Sequence, residues 1–410
     1  MYAIFENNCV LQELIYNMNR ILCIFSLFLL LAPENHTNKL SFWRYLMALN
    51  LTYTPPDFTV PALKDAPFAA VQEVPADGIA PQNYHATSNY PEYANLEGYG
   101  WTLAPESRMD AVLVAKDGIL QVIEARNLKK GDMVVVGRTE NGEQGILVHP
   151  HCFERVKESE DKFTFRSRGT RETPFSRSYD MLYQLLKHDR DHGHIVWVLG
   201  PAVAFDKDSR EAMQGLIANG FCNALMAGNA LATHDIEAAY FGTGLGQDIY
   251  SQELQSMGHY NHLDILNEVR RAGSIKESLK TLNIKNGIIK ACEDNNVPYI
   301  LAGSIRDDGP LPETIGDVYQ SQNMMREHAR KATTVITMAT QLHSIAFGNM
   351  TPSYRIMPDG VIRPVYFYVV DMSEFSADKL ANRGSAQAQA ILTNVQDFIV
   401  NLWNHLKNKV

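Results

Sequence analysis

Residues Asn219 to Asp248 read NGFCNALMAGNALATHDIEAAYFGTGLGQD: an apolar run over Ala224–Ala227 breaks into Gly228-Asn229-Ala230, then into a helical pattern carrying His234, Asp235 and Glu237. Such a junction marks the end of a buried strand and the start of a helix. In an open α/β sheet ligands sit at that edge, because small residues let the backbone come close and the helix start offers free N–H groups to phosphates. A structural chain has little use for so many small and polar residues at one strand end.

The same alternation extends to both sides. Strand-like runs HIVWVLG, NALMAG, VPYILAGS, TTVITMAT and VYFYVVDMS are separated by helix-like segments. These are SREAMQGLIANG, DIEAAYF, HLDILNEVRRAG, SIKESLKTLN, DVYQSQNMMREHARK and SAQAQAILTNVQDFIVNLWNHL. Nearly continuous apolar strands between helices predict a parallel sheet covered on both faces, a Rossmann-like α/β domain over residues 194–410. Upstream, DAVLVAKDG, ILQVIEARNL and MVVVGRTENGEQGILV are punctuated by Asp-Gly, Gly-Asp and Asn-Gly dipeptides, which predict hairpins in a small β-rich domain over 47–165. Residues 166–193 form a linker and an amphipathic helix.

A chain of 410 residues with formal charge −9 holds no Lys/Arg run that could track a phosphate backbone, so nucleic acid is not an expected partner. The five cysteines are scattered without a CxxC pair, which argues against a disulfide framework and structural zinc and fits a cytoplasmic protein. Ile21–Ala32, ILCIFSLFLLLA, is too short to span a bilayer comfortably. Residues 1–46 are expected to lie upstream of a natural start at Met47; the alternative is an export signal or membrane anchor formed by the signal-like segment at 18–32, which lacks a small-x-small cleavage site. No membrane partner is expected for the main body.

Four strand ends carry the polar chemistry. NALMAG leads to Asn229, Ala230, His234, Asp235 and Glu237; VPYILA to Gly303, Ser304, Arg306, Asp307, Asp308 and Gly309; TTVITMAT to Gln341, His343, Ser344, Gly348 and Asn349; and VYFYVV to Asp371 and then Arg383, Gly384 and Ser385. In a parallel sheet these ends open onto one edge and should converge. Each has a plainer reading: Asp307-Asp308-Gly309-Pro310 as a solvated turn, His343 as a core histidine, His234-Asp235 as a helix N-cap pair. Neither GxGxxG nor a P-loop is present; Gly242, Gly244 and Gly246 are too closely spaced for the former. His259 and His262 beside Asp264 carry no zincin spacing, and no metal is expected.

GNALATHDIEAAYFGTGLG, GHYNHLDILNEVRRAGSI, AGSIRDDGPLPE, LHSIAFGNMTP and NRGSAQAQAILTNV resemble the LOR/SDH bifunctional enzyme domain family. That family includes the archaeal-type ornithine cyclodeaminases and the C-terminal half of the cyanobacterial arginine dihydrolase/ornithine cyclodeaminase. The resemblance covers roughly Leu51 to the C-terminus. It implies a deoxyhypusine-synthase-like fold, a tightly held NAD, and redox-neutral conversion of L-ornithine to L-proline with loss of ammonia. The chain departs from the family pattern at GPAVAFDKDS and VVDMS, which bear on substrate choice. On this reading His234 or His343, with Asp235 or Asp308, moves protons, and Arg306 clamps the carboxylate. Asp307 or Asp308 faces the δ-ammonium. Gly228, Asn229, Ala230, Gly303, Ser304, Met338 and Asp371 hold NAD. An ordinary amino- or imino-acid dehydrogenase and a non-catalytic NAD-binding module are the alternatives. A homo-oligomer is expected.

Overall fold

The computed structural model describes residues 53–153, 176–307, 309–373 and 387–407. The expectations for 1–46, for Asp308 and for Arg383, Gly384 and Ser385 fall outside these residues. The described residues belong to one compact unit running from Leu49 to Val410.

After a helical turn, α1 (Pro61–Lys64), come the strands β1 (Ala70–Glu73), β2 (Glu92–Leu96), β3 (Gly100–Leu103), β4 (Val112–Lys116), β5 (Ile119–Ile123), β6 (Met133–Val136) and β7 (Ile146–Val148). They form two antiparallel sheets, ordered β1-β6-β4-β5 and β3-β2-β7. The Asp117-Gly118 hairpin between β4 and β5 forms as expected, with both residues at positive φ (50° and 77°). The Asn-Gly signal misleads. β6 and β7 flank it but lie in different sheets, because β6 pairs with β1 and β7 with β2.

The second region follows the pattern α2 (Ser176–His192), β8 (Ile195–Leu199), α3 (Lys207–Ala218), β9 (Ala224–Gly228), α4 (Asn229–Phe241) and a two-residue hairpin, β10 (Thr243–Gly244) with β11 (Gln247–Asp248). It continues with α5 (Asn261–Ala272), α6 (Ile275–Thr281), α7 (Ile288–Asp294), β12 (Tyr299–Ala302), α8 (Val318–Ala329), β13 (Thr334–Met338) and α9 (Gln341–Met350). A small hairpin, β14 (Tyr354–Ile356) with β15 (Ile362–Pro364), precedes β16 (Tyr366–Asp371), β17 (Gln387–Leu392) and α10 (Val395–Lys407). Six strands make one parallel sheet in the order β12-β9-β8-β13-β16-β17. The chain starts in the middle, winds outward through β9 and β12, and then returns to the other side of β8. This is the doubly wound Rossmann order, with its reversal between β8 and β13. Val196, Val198, Met226, Ile300, Val335, Phe367 and Val369 pack under Met325 of α8 and Phe347 and Met350 of α9. All are buried, as a sheet covered by helices requires.

Several elements differ from the sequence reading, which does not anticipate the helices α7 and α9. The stretch expected as one C-terminal helix is split: Gln387–Leu392 is an edge strand on β16, and the helix begins at Val395. The helix expected from Asp235 starts six residues earlier, directly off β9, so His234 and Asp235 lie inside it and Gly228 is its N-cap.

Asp189 ties α2 to the opposite edge of this sheet. Its buried carboxylate accepts from Arg363 (2.8 Å), Thr333 (2.6 Å) and Thr334 (2.7 Å), and it meets His188 at 2.8 Å. Burial alone would raise its pKa, but His188, Arg363 and Thr333 outweigh that and hold it at about 2. A depressed carboxylate pKa contributes stability that is present above the unfolded value and lost as pH falls through the folded one. Chemical denaturation should therefore show a loss of roughly 2 kcal/mol between about pH 4 and pH 2 that is absent in Asp189→Asn.

Candidate active site at the strand ends

The site is built on backbone. At the reversal point the Gly200 N–H donates to the Met338 carbonyl (2.8 Å). A Cβ on Gly200 would run into the carbonyl oxygen of Ala339, which itself sits at φ 56°, where L-residues are rarely found. The two strand tips thus touch through backbone alone. Gly200→Ala should force the tips apart and cost about 1–3 kcal/mol in urea denaturation, as overpacking does. A change under 0.5 kcal/mol would mean the tips are free to part.

Gly228 ends β9 under the imidazole of His343, whose Cε1 would lie 3.0 Å from an added Cβ. His343 stands in the first turn of α9, after β13, so its ring crosses β8 to cover the backbone at the tip of β9. Burial pushes its pKa below the ordinary imidazole value, and the negative charge of Asp307, beyond β12, pulls it partly back. Asp307 closes a tight turn by accepting from the Ser304 N–H (2.8 Å), while the Ser304 hydroxyl accepts from the Arg306 N–H (3.2 Å). Arg306 is exposed, and no ion pair is recorded for it among the described residues. Neither Gly228, capping α4, nor Thr340, capping α9, supplies a side-chain cap, so both helix starts keep N–H groups for a ligand.

The remaining expected cofactor residues share this edge. Ala230 is in the first turn of α4. The Oδ1 of Asn229 is taken by the Leu311 N–H (2.9 Å) and the Thr314 hydroxyl (3.1 Å), so this side chain holds the loop after β12 in place. The Gly303 N–H donates to Ile315 O (2.8 Å), closing the base of that loop. Met338 is fully buried, and its carbonyl is engaged by the Gly200 N–H. Asp371 is one step past the Val370–Met338 pair and accepts from the Ser373 N–H (2.8 Å).

Asp235, expected as a proton carrier, is committed elsewhere. It is 1% exposed; Oδ1 accepts from Arg210 Nε (2.6 Å) and the Ile288 N–H (2.9 Å), and Oδ2 from the Ile289 N–H (2.8 Å). Those bonds cap α7, and we assign Asp235 a structural role.

His234, one residue away, points elsewhere. Its Nδ1 meets Glu237 Oε2 at 2.9 Å, and its ring stands edge-on to Phe205 in the loop leaving β8, with centroids 4.8 Å apart. Glu237 is fully buried and also accepts from the Thr243 hydroxyl (2.9 Å). His262 Nδ1 lies 3.9 Å from the same carboxylate, buried and without a hydrogen bond. Donor atoms of His234, Glu237 and His262 lie within 4.8 Å of one another, a set a divalent cation could use, although Glu237 is already engaged by its neighbours. The sequence places Glu237 at the same strand end, and its i+3 spacing from His234 is the signal for this pairing, which the sequence reading does not draw. Gly200 and Ala339 gave no signal, since their meeting depends on two strands distant in sequence.

A six-stranded, doubly wound parallel sheet that reverses between β8 and β13 defines a Rossmann-type α/β protein, and in such sheets ligands sit at the carboxyl ends of the strands. The family described as arginine dihydrolase ArgZ-like, C-terminal, Rossmann fold matches residues 180–402. Ornithine cyclodeaminase of Methanopyrus kandleri is 37% identical over 340 residues, covering 82% of this chain and 78% of that one. The chain belongs to this family, the archaeal ornithine cyclodeaminases and the ArgZ-like C-terminal domains. A Nostoc bifunctional arginine dihydrolase/ornithine cyclodeaminase, AgrE, is 32% identical over 81% of the chain but 46% of its own length. Among solved structures, an LOR/SDH protein from Methanococcus maripaludis superposes with a TM-score of 0.75 at 32% identity, covering 83% of this chain and 99% of that one. AgrE in ternary complex with ornithine and NAD+ gives 0.51 at 29% identity, covering 89% of this chain and 48% of that one.

Proposed function

We propose that this protein binds NAD across the reversal point and converts L-ornithine to L-proline with release of ammonia. The observation that carries the reading is the meeting of His343, Gly228 and the Ser304–Asp307 turn at one strand edge. The family's AgrE complex with ornithine and NAD+ supports it.

The crevice fits a dinucleotide on this chain's own terms. The bare Gly200–Ala339 contact admits close backbone approach, and two helix starts without side-chain caps offer N–H groups to phosphates. Asp371, at the tip of the strand beside β13, is placed to accept from a ribose hydroxyl. NAD supplies the two-electron oxidation at the substrate α-carbon and its later reversal, so no net redox change remains.

The chain supplies the proton transfers and the binding. His343, kept largely neutral by burial, takes the proton from the substrate ammonium and returns one later in the cycle. Asp307, partly buried beside it, attracts the δ-ammonium and favours the protonated imidazole. Arg306 reaches the carboxylate as a fork of donors. His234, oriented by Glu237, is the second proton-carrying candidate, under the loop leaving β8. The exposed apolar side chains Tyr250, Leu254 and Met257, between β11 and α5, support a homo-oligomer, which sedimentation equilibrium would test.

Purified protein given NAD and L-ornithine should release ammonia and proline in equal amounts with no lasting absorbance from reduced cofactor. Accumulating NADH would replace this reading with a simple dehydrogenase. NAD binding without turnover of any diamino acid would leave a non-catalytic module.

A further inference from the structure

A cavity of about 290 Å³ lies away from the strand-end crevice, between the antiparallel sheets and the outer sides of α8 and α9. It is lined by Arg108, Asp110, Glu124, Arg126, Arg326 and Asn349. At about 30 Å³ per water it has room for about ten waters, or one small amino acid.

Its charges do not close on themselves. Glu124 is shared by Arg108 and by Arg326, whose Nε is 2.6 Å away. Behind them Glu106 holds Arg330 at 2.9 Å and Arg108 at 3.6 Å. That leaves two opposite charges at the rim. Arg126 donates only to the amide oxygens of Gln322 (2.8 Å) and Asn323 (3.0 Å) and stacks over Tyr319, with no carboxylate among the described residues. Asp110 is exposed, at φ 62°, with no ion pair among the described residues. In the same lining the Oδ1 of Asn349 is buried and accepts no hydrogen bond among the described residues. Guanidiniums exceed carboxylates in the lining by three to two.

We infer that this cavity is an α-amino-acid site: the ligand carboxylate sits on Arg126, and its ammonium lies between Asp110 and the Asn349 amide oxygen. The geometry matches the chemistry. A carboxylate relieves the surplus guanidinium, an ammonium supplies the donor Asn349 lacks, and the Ala346 and Met350 side of α9 gives the aliphatic part an apolar wall. Asn349 shares its helix with His343, so an occupant contacts the element that carries the proposed proton carrier. The ligand is an amino acid that modulates the rate of the reaction proposed for the strand-end crevice, so its role rests on that reading while its binding does not.

Equilibrium dialysis of the full chain with labelled L-ornithine, L-arginine and L-proline tests this without requiring turnover. Wild type should bind at least one of them. Arg126→Gln and Asp110→Asn, both at exposed positions, should each weaken that binding fivefold or more. A smaller change in either variant, no binding by wild type, or binding that survives Arg126→Gln but is lost in Arg306→Gln would overturn the proposal. The last result would place the ligand in the strand-end crevice. In Arg126→Gln the KM for ornithine should stay unchanged while rate modulation by the bound amino acid is lost; a KM that rises in step with the dissociation constant would overturn the separate-site reading. Absence of turnover in wild type would count against cyclodeamination alone, since the dialysis result stands apart from it.

Discussion

His343→Gln is expected to lower kcat for ornithine by about 10²–10⁴-fold, the range a positioned general acid–base contributes, while leaving NAD binding within a few fold of wild type. Gln keeps much of the bulk that covers Gly228 but cannot carry a proton at neutral pH. The pH dependence gives an independent check. Burial lowers the pKa of His343, so the neutral base persists below the unperturbed value of about 6.5, and the acid limb of kcat/KM should fall on the acidic side of it. Asp307 works in the opposite sense, stabilising the imidazolium. Removing that charge in Asp307→Asn should move the limb to still lower pH. A limb that shifts upward, or a His343→Gln enzyme within threefold of wild type, would take the proton-transfer role away from this histidine.

How far the sequence foretold this site depends on the kind of signal involved. The strands β8, β9, β12, β13 and β16 were legible because a parallel strand covered on both faces must be apolar at nearly every position, as IVWVL and ALMAG are. β17 was not. QAQAIL alternates Ala with Gln at the sheet edge, and its composition favours a helix until pairing with β16 decides otherwise. α9 was missed because Thr340 makes no side-chain cap and Gly348 interrupts the pattern. Convergence at one edge followed from topology, so His343, Gly228 and Asp307 could be brought together without coordinates. What a side chain does once there could not be read. Asp235 and His234 are neighbours in the chain, yet a helix turns adjacent residues about 100° apart. One caps α7 and the other meets Glu237. Partners chosen by three-dimensional packing leave no trace in local pattern.

Asp235→Asn separates those two readings by the quantity it changes. The substitution keeps the size of the side chain and removes its charge, so Arg210, itself 3% exposed, is left without its carboxylate. It also replaces one acceptor oxygen with an N–H₂ that must face either Arg210 Nε and the Ile288 N–H or the Ile289 N–H, donor against donor. Arg210 retains Asn286, whose Oδ1 is 2.7 Å from Nη1, but a neutral amide does not offset a buried guanidinium. The expected loss is about 3–5 kcal/mol in urea denaturation, the range for breaking a buried ion pair by removing one partner. Because α7 leads directly into β12, whose following loop carries Ser304 and Asp307, the variant should also bind NAD less tightly as its folded fraction falls. At temperatures where it remains folded, kcat should stay within a few fold of wild type. A proton carrier would behave the other way, with denaturation midpoints unchanged and kcat reduced by orders of magnitude, and that outcome would return Asp235 to the reaction.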